Sequence, residues 1–441
     1  MKKIIISLVA IIVIAIVAAF IAFKIMANKT KKVTRTETVM EVNFLLSESE
    51  ISIADTTEVN TTSQWRGDNR DGIYDETGLL KEWAADGPEL LWFREELGDG
   101  YSSPAIANGR IYITGLYADD LVLSVFDLNG RLLIRRAVGK EWNDSYPGAR
   151  STVNVNDGKL YIFNSLGHLH CFDEKTLDLI WKKDVLNDFD GKNIRWGMTE
   201  SPLIVDDKIF ITPGGSRYNI VALNKNTGEL IWASQGTGEP STYCSPLFID
   251  GYAVPMIITS AEQHIVGLNA NTGELLWSHP QTNRWNIHPN TPLYSDGMIF
   301  STTGYGGGSL MLRLTNEGRA VEQVWTNNVD NQIGGAVKID NYIYTTGHNN
   351  RGFYCIDWRT GEIKYRVNQI SPSAIITADG MLYVYSQRGE MALVKPNPDR
   401  LELVSSFNVT LGTNQHWAHP VIHDGVLYIR HGDVLMAYKV K

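Results

Sequence analysis

Apolar and polar side chains alternate along residues 105–441 in short runs, with the period of two that a half-buried β-strand requires. An Asx-containing pair introduces each run: NGRIYIT at Asn108, DGKLYIF at Asp157, DDKIFIT at Asp206, DGYAVPM at Asp250, DGMIFST at Asp296, DNYIYTT at Asp340, DGMLYVY at Asp379 and DGVLYIR at Asp424. Asp-Gly or Asn-Gly between alternating runs predicts a type I′ hairpin, whose two central residues need φ > 0 and whose twist suits the strands on either side. A second turn follows in each period. TGELIW at 227–232 returns as TGELLW at 272–277, and weaker copies end at Trp92, Ile134, Trp181, Trp325 and Tyr365. Gly228, Gly273 and Gly361 stand where this turn needs a left-handed backbone.

Two hairpins per period make about four strands in about 45 residues, the size of one propeller blade. Such a blade has two apolar faces and cannot shield both alone, so blades must stack around an axis. The recurring Trp on the outer strand is the flat side chain that fills the widening wedge between neighbours. The first outer-strand phrase, LLWF at 90–93, precedes the first Asx turn, and the chain stops after the eighth turn without an outer strand of its own. The predicted fold is all-β: an eight-bladed propeller of four-stranded antiparallel blades over 90–441, closed by pairing of the N-terminal strand with the last blade. Seven blades is the competing count, should DGYAVPM or the last copy not form a blade.

The N-terminus has a different pattern. Residues 4–23 are apolar except for Ser7 and match the thickness of a bilayer core when helical. Lys24, Lys29, Lys31, Lys32 and Arg35 follow in place of a cleavage site. Residues 1–35 are therefore expected to be an uncleaved membrane anchor, 36–64 a Thr/Ser/Glu-rich tether and 65–89 a lead-in to the propeller. The charges flanking the helix, taken alone, would place the body in the cytoplasm.

A net charge of −9 excludes a nucleic-acid partner, which would need a clustered cationic excess. Cys171, Cys244 and Cys355 are too few and too far apart for a disulfide framework or metal knuckle, so buried inert thiols are expected. RGD at 66–68 is read as coincidence, and GYGGG at 304–308 as a hairpin turn, since no Lys-Ser/Thr follows it.

The phrases Ala222–Trp232 and Leu268–Trp277 resemble the tryptophan-docking motifs of the PQQ-binding-like, quinoprotein-alcohol-dehydrogenase-like propellers. WRGDNRDGIYDETGLLKEW at 65–83, with RWGMTESPL at 195–203, TPGG at 212–215 and WAHPV at 417–421, is similar to exported bacterial members. That family includes PQQ-dependent dehydrogenases and the non-catalytic propeller lipoprotein of the outer-membrane β-barrel assembly machinery. The resemblance implies an extracytoplasmic protein, on the periplasmic side of the inner membrane.

The loops leading into the inner strands converge on one end of the central channel, the default place for a ligand. There the sequence places Arg150, Trp196, Glu200, Tyr243, His288, Trp417 and His419 as candidate ligand-binding residues, with Glu200 the best catalytic candidate. A plainer reading has Arg150 and Glu200 simply paired and the Trp residues capping the core. Two functions stay open. The first is a binding or scaffold module for an envelope protein, small molecule or glycan, with no cofactor and no metal. The alternative is a PQQ-dependent alcohol or sugar dehydrogenase, in which PQQ and Ca²⁺ would sit at the channel mouth. The Cys-Cys pair of the dehydrogenases has no counterpart here, and Glu200 is the only acid among the residues that lead into the inner strands.

Overall fold

The structure is a computed structural model, which describes residues 62–441. The anchor expected at 4–23 and most of the tether lie outside the described residues. Among the described residues no helix is long and apolar enough to cross a membrane.

Eight antiparallel sheets follow one another along the chain. Blade 1 spans 105–140, blade 2 154–184, blade 3 203–234, blade 4 247–280, blade 5 293–327, blade 6 336–367 and blade 7 373–408. Blade 8 takes its three inner strands from 421–439 and its outer strand from Leu90–Arg94, which pairs antiparallel with Val434–Lys439. The ring therefore closes as the sequence phase requires. The Asx turns have the expected left-handed backbone, with φ of 52° and 69° at Asn108-Gly109 and 48° and 69° at Asp157-Gly158. At Asp250 the hairpin opens into a longer connection, since Pro255 cannot join the ladder, yet Met256–Ser260 still pairs with Leu247–Ile249. GYGGG links two strands of blade 5.

No blade holds a core of its own. The buried apolar residues form clusters shared between neighbours: Leu203 and Phe210 of blade 3 pack with Ile257 and Val266 of blade 4, and Val337 and Tyr344 of blade 6 with Ile375 and Leu382 of blade 7. Burial of a blade's faces is thus inseparable from ring assembly. Except for Trp277, whose Nε1 has no partner among the described residues, the outer-strand tryptophans tie one blade to the next. Trp181 donates Nε1–H to Lys225 O at 3.0 Å, Trp232 to Ala270 O at 3.1 Å and Trp325 to Trp358 O at 3.0 Å. Each ring lies against the turn glycine of the next blade; a Cβ at Gly273 (φ 75°) would fall 2.5 Å from the Trp232 ring. The same contact from Trp92 to Leu128 O, 3.0 Å, ties blade 8 to blade 1.

The segment ahead of the propeller is built into it. Thr62 bridges to Ile106 of blade 1, Ser63 O accepts from Val155 N of blade 2, and Ile73–Tyr74 adds a parallel fifth strand to blade 7. The Glu76 carboxylate then receives the backbone N–H groups of Asp424 and Gly425, and Leu80 N–H bonds Val440 O before the chain reaches its outer-strand position. Cys171, Cys244 and Cys355 are buried and unbridged, as expected.

Candidate functional site

Residues 62–74 make hydrogen bonds to blades 1, 2, 6, 7 and 8 and to the residues that lead into blades 3, 4 and 5, which only a segment on the propeller axis can do. Its backbone pairs near the far ends of the inner strands, at Ile106, Val155, Thr377 and Ala378. Two arginine side chains reach back towards the mouth. Arg66 donates to Gly334 O (3.0 Å), Ala336 O (2.7 Å) and His419 Nδ1 (3.0 Å). Arg70 donates to Ser201 O (2.9 Å), Pro246 O (3.1 Å) and Pro202 O. Trp65 Nε1–H reaches Thr291 Oγ1 at 3.1 Å, and its ring lies 4.6 Å from that of His419. The inner strands turn carbonyls towards the axis, and planar guanidiniums with five donors are the side chains suited to satisfying them. The RGD tripeptide is therefore neither an adhesion motif nor without consequence, because Arg66 is buried.

The candidates divide into a buried group and an open group. Glu200 and His419 are sealed by this segment, at 0% and 1% exposure. Glu200 does not pair with Arg150; its carboxylate accepts from Thr212 N at 3.0 Å and faces Arg70 across the axis. The expected Arg150–Glu200 pairing fails because the two side chains point to different layers. His419 spends both nitrogens: Nδ1 accepts from Arg66, and Nε2–H donates to Ile333 O at 2.9 Å, which sets the neutral Nε2–H tautomer. His288 is buried as well, with Nε2 3.0 Å from Glu262 O.

The open group lines the mouth. Arg150 Nη2 donates to Tyr146 O at 2.6 Å, and its guanidinium lies 5.9 Å from the Trp142 ring. Trp417 sits between Tyr101 (5.1 Å) and Tyr146 (5.2 Å). Trp196 packs on Tyr243 (6.2 Å) and is overlaid by Arg195, whose guanidinium also covers Trp285. Burial pushes the Tyr243 hydroxyl up to about 12, partly offset by Arg150 and Arg195, which both lie within electrostatic range of it. Four sequence candidates, Arg150, Trp196, Tyr243 and Trp417, thus belong to one surface; Tyr101, Tyr146 and Arg195 were not among them.

The buried group has a pH signature. Burial pushes the Glu200 carboxyl up to about 8, while Arg70, held down to about 9 by burial, stays protonated on its carbonyl ligands. The folded protein then keeps the Glu200 proton up to about pH 8, whereas the unfolded carboxyl loses it near 4.5, so this group lowers stability as pH rises across that window. Burial holds His288 down to about 4 and His419 to about 3, so stability also falls as pH drops below 6.5, where only the unfolded imidazoles take up protons. Urea midpoints against pH are expected to peak near pH 6.5, and Glu200→Gln is expected to flatten the limb from pH 6.5 to about 8 and to steepen the rise between pH 4.5 and 6.5; an unchanged alkaline limb in that variant would refute the assignment.

PQQ with Ca²⁺ needs a flat cleft and several oxygen ligands. Here Trp65, Arg66 and Arg70 fill the axis beneath the mouth, and Glu200 is committed to Thr212. Among the described residues no group of three or more His, Cys, Asp or Glu side chains is placed to hold a metal. The residues present do not fit that pair.

The family described as "Outer membrane protein assembly factor BamB" matches residues 139–364 and 241–400, together more than half of the chain. A quinoprotein ethanol dehydrogenase of Pseudomonas aeruginosa is 31% identical over 108 residues, 24% of this chain but only 17% of that protein. The crystal structure of BamB from Moraxella catarrhalis superposes with a TM-score of 0.54 at 13% identity, covering 79% of this chain and 98% of that one. Quinohemoprotein alcohol dehydrogenase from Comamonas testosteroni superposes with a TM-score of 0.61, also at 13% identity, covering 88% and 81%. Scaffold and enzyme are both similar to this chain, and likeness at such identities is likeness of fold.

Proposed function

Because this chain belongs to the family described as outer membrane protein assembly factor BamB, we propose that it is a binding and scaffold module of the cell envelope, engaging a protein or ligand through its mouth-side loops. The observation that supports this reading over a quinoprotein dehydrogenase is the axial segment: residues 62–74 bond to blades 1, 2, 6, 7 and 8 and to the residues leading into blades 3, 4 and 5, and take up the space beneath the mouth. A rigid ring that fills its own channel leaves its loop face for recognition. The apolar stretch at 4–23 would anchor it to the inner membrane with the propeller on the periplasmic side. The dehydrogenase reading keeps one point in its favour, the 108-residue match to a quinoprotein ethanol dehydrogenase.

One preparation separates the two. Photo-crosslinkers placed at Tyr146 and Trp285, both exposed at the mouth, are expected to capture a component of the outer-membrane protein assembly apparatus. Titration of the same protein with PQQ and Ca²⁺ is expected to give neither quinone absorbance in the protein fraction nor dye-linked alcohol oxidation. Capture of no envelope component together with cofactor-dependent dye reduction would reverse the assignment.

A further inference from the structure

We propose that the mouth binds an acidic sugar, a pyranose carrying a carboxylate, with its ring on the tyrosines and tryptophans around Trp417 and its carboxylate on Arg150; this rests on the reading of the mouth-side loops as the binding face. Arg150 carries the argument. Its guanidinium is largely enclosed, yet Nη1 is buried without a hydrogen-bond partner among the described residues, while Nη2 is held by Tyr146 O. Glu141 lies within electrostatic range of Arg150 but makes no hydrogen bond to it, its Oε1 accepting the backbone N–H groups of Trp142 and Ser165. A buried guanidinium N–H without an acceptor costs stability. Retained in a loop beside the exposed Tyr146, it is a donor that an acceptor from outside reaches when Tyr146 is displaced. Arg195 adds a second guanidinium with no carboxylate partner among the described residues, held over Trp196 and Trp285 at 5.3 and 5.1 Å.

The surroundings select the class of anion. Tyr146 and Trp285 remain 46% and 43% exposed, unusual for side chains of this size on a closed ring. Their electron-rich faces suit the polarised C–H groups on one face of a pyranose, and the fork of Arg150 suits a carboxylate. A small inorganic anion would use the guanidinium and leave the aromatic rings idle. A peptide would be recognised through main-chain hydrogen bonds to an open strand edge, and in blades 1, 2 and 7 the inner-strand edges are already bonded to residues 62–74.

The test uses the full-length protein in detergent, titrated with an oligogalacturonate, a neutral maltooligosaccharide of equal length and a poly-glutamate peptide, and followed by tryptophan fluorescence and calorimetry. The oligogalacturonate is expected to quench saturably, the more weakly the higher the salt. Arg150→Gln is expected to weaken it about tenfold or more, as loss of a charge-assisted hydrogen bond should. Trp417→Ala is expected to weaken it too, and Arg150→Lys to restore only part of the affinity. Arg195→Gln, on an exposed side chain, supplies a variant whose folding is not at risk. Equal binding of the neutral oligosaccharide, tighter binding of poly-glutamate, no binding by the unmodified protein, or indifference to both arginine substitutions would each overturn the proposal. If the sugar fails while crosslinking at Tyr146 still captures an envelope protein, the sugar class is wrong and the binding face stands. If both fail, the face itself is wrong.

Discussion

Replacing Arg70 by Met is expected to lower the unfolding free energy by about 3–5 kcal/mol, the range for removing one member of a buried charge network. The guanidinium satisfies three main-chain carbonyls in two adjacent blades, Ser201 O, Pro202 O and Pro246 O, and it bonds Gln64 Oε1 at 3.0 Å within its own segment. Met fills much of the volume and supplies no donor, so those carbonyls are left in a dry channel. Glu200 also loses its only attractive cation, and its carboxyl is then held protonated to still higher pH. Adding Glu200→Gln in the same chain should therefore recover the part of the loss that grows with pH, but not the part due to the orphaned carbonyls. Urea midpoints of the two single variants and the double variant, measured at pH 6 and pH 9, check this. A loss below about 1 kcal/mol for Arg70→Met, the range of surface substitutions, would show that the axis is hydrated and the segment merely adheres to it.

A chain beginning at residue 95 is expected not to yield a folded monomer. It lacks the outer strand Leu90–Arg94 and with it the partner of Val434–Lys439, whose residues Val434 to Tyr438 are buried and apolar. An unpaired apolar edge invites pairing with another chain. The same deletion removes Arg66, Arg70 and the fifth strand of blade 7. Together these losses rival the ~5–15 kcal/mol that is the whole stability of an ordinary domain. Size-exclusion chromatography and circular dichroism should show aggregates, and a peptide of residues 62–94 supplied during refolding should restore some monomer. A monomer from 95–441 that melts as cooperatively as the longer chain would mean that the ring does not depend on its closing strand.

The arginines show where reading along the chain stops. Asn108-Gly109 announces its turn because a left-handed pair of residues is a property of those residues and their neighbours. Trp232 and Gly273 announce their contact because the hexapeptide repeats with the blade period. Arg66 and Arg70 sit in a stretch rich in Gly, Asp and Asn that reads locally as a polar lead-in, and nothing within several residues foretells burial. Arg430 is the same case: it ends a strand phrase like many exposed arginines, yet it is fully buried and donates to Thr114 O (2.7 Å), Gly98 O (3.1 Å) and Gly432 O (2.8 Å). Gly72 leaves no room for a side chain, since a Cβ would fall 2.6 Å from Arg66 Nη2, but that approach exists only once the segment has folded onto the axis.

The mouth was half legible. Arg150, Trp196, Tyr243 and Trp417 were found because the repeat places the loops that carry them at one end of the ring. His288, His419 and Glu200 come from the same loops but turn inward, and a direction of that kind is set by rotamer and packing rather than by spacing. The plainer reading, with Arg150 and Glu200 paired, treats one end of the channel as one surface, whereas the axial segment separates it into two layers.

By itself the amino-acid sequence determined the blade, its turns, the number of repeats and the strand that closes the ring. These follow from φ/ψ preferences and from a two-residue alternation that any short segment carries within itself. Only the tertiary structure decided what fills the axis, which acid is buried and which guanidinium is left without an acceptor. Those properties do not exist until eight blades close, because the carbonyls that surround Arg66 and Arg70 come from residues up to hundreds of positions apart and lose their water only when the ring is complete.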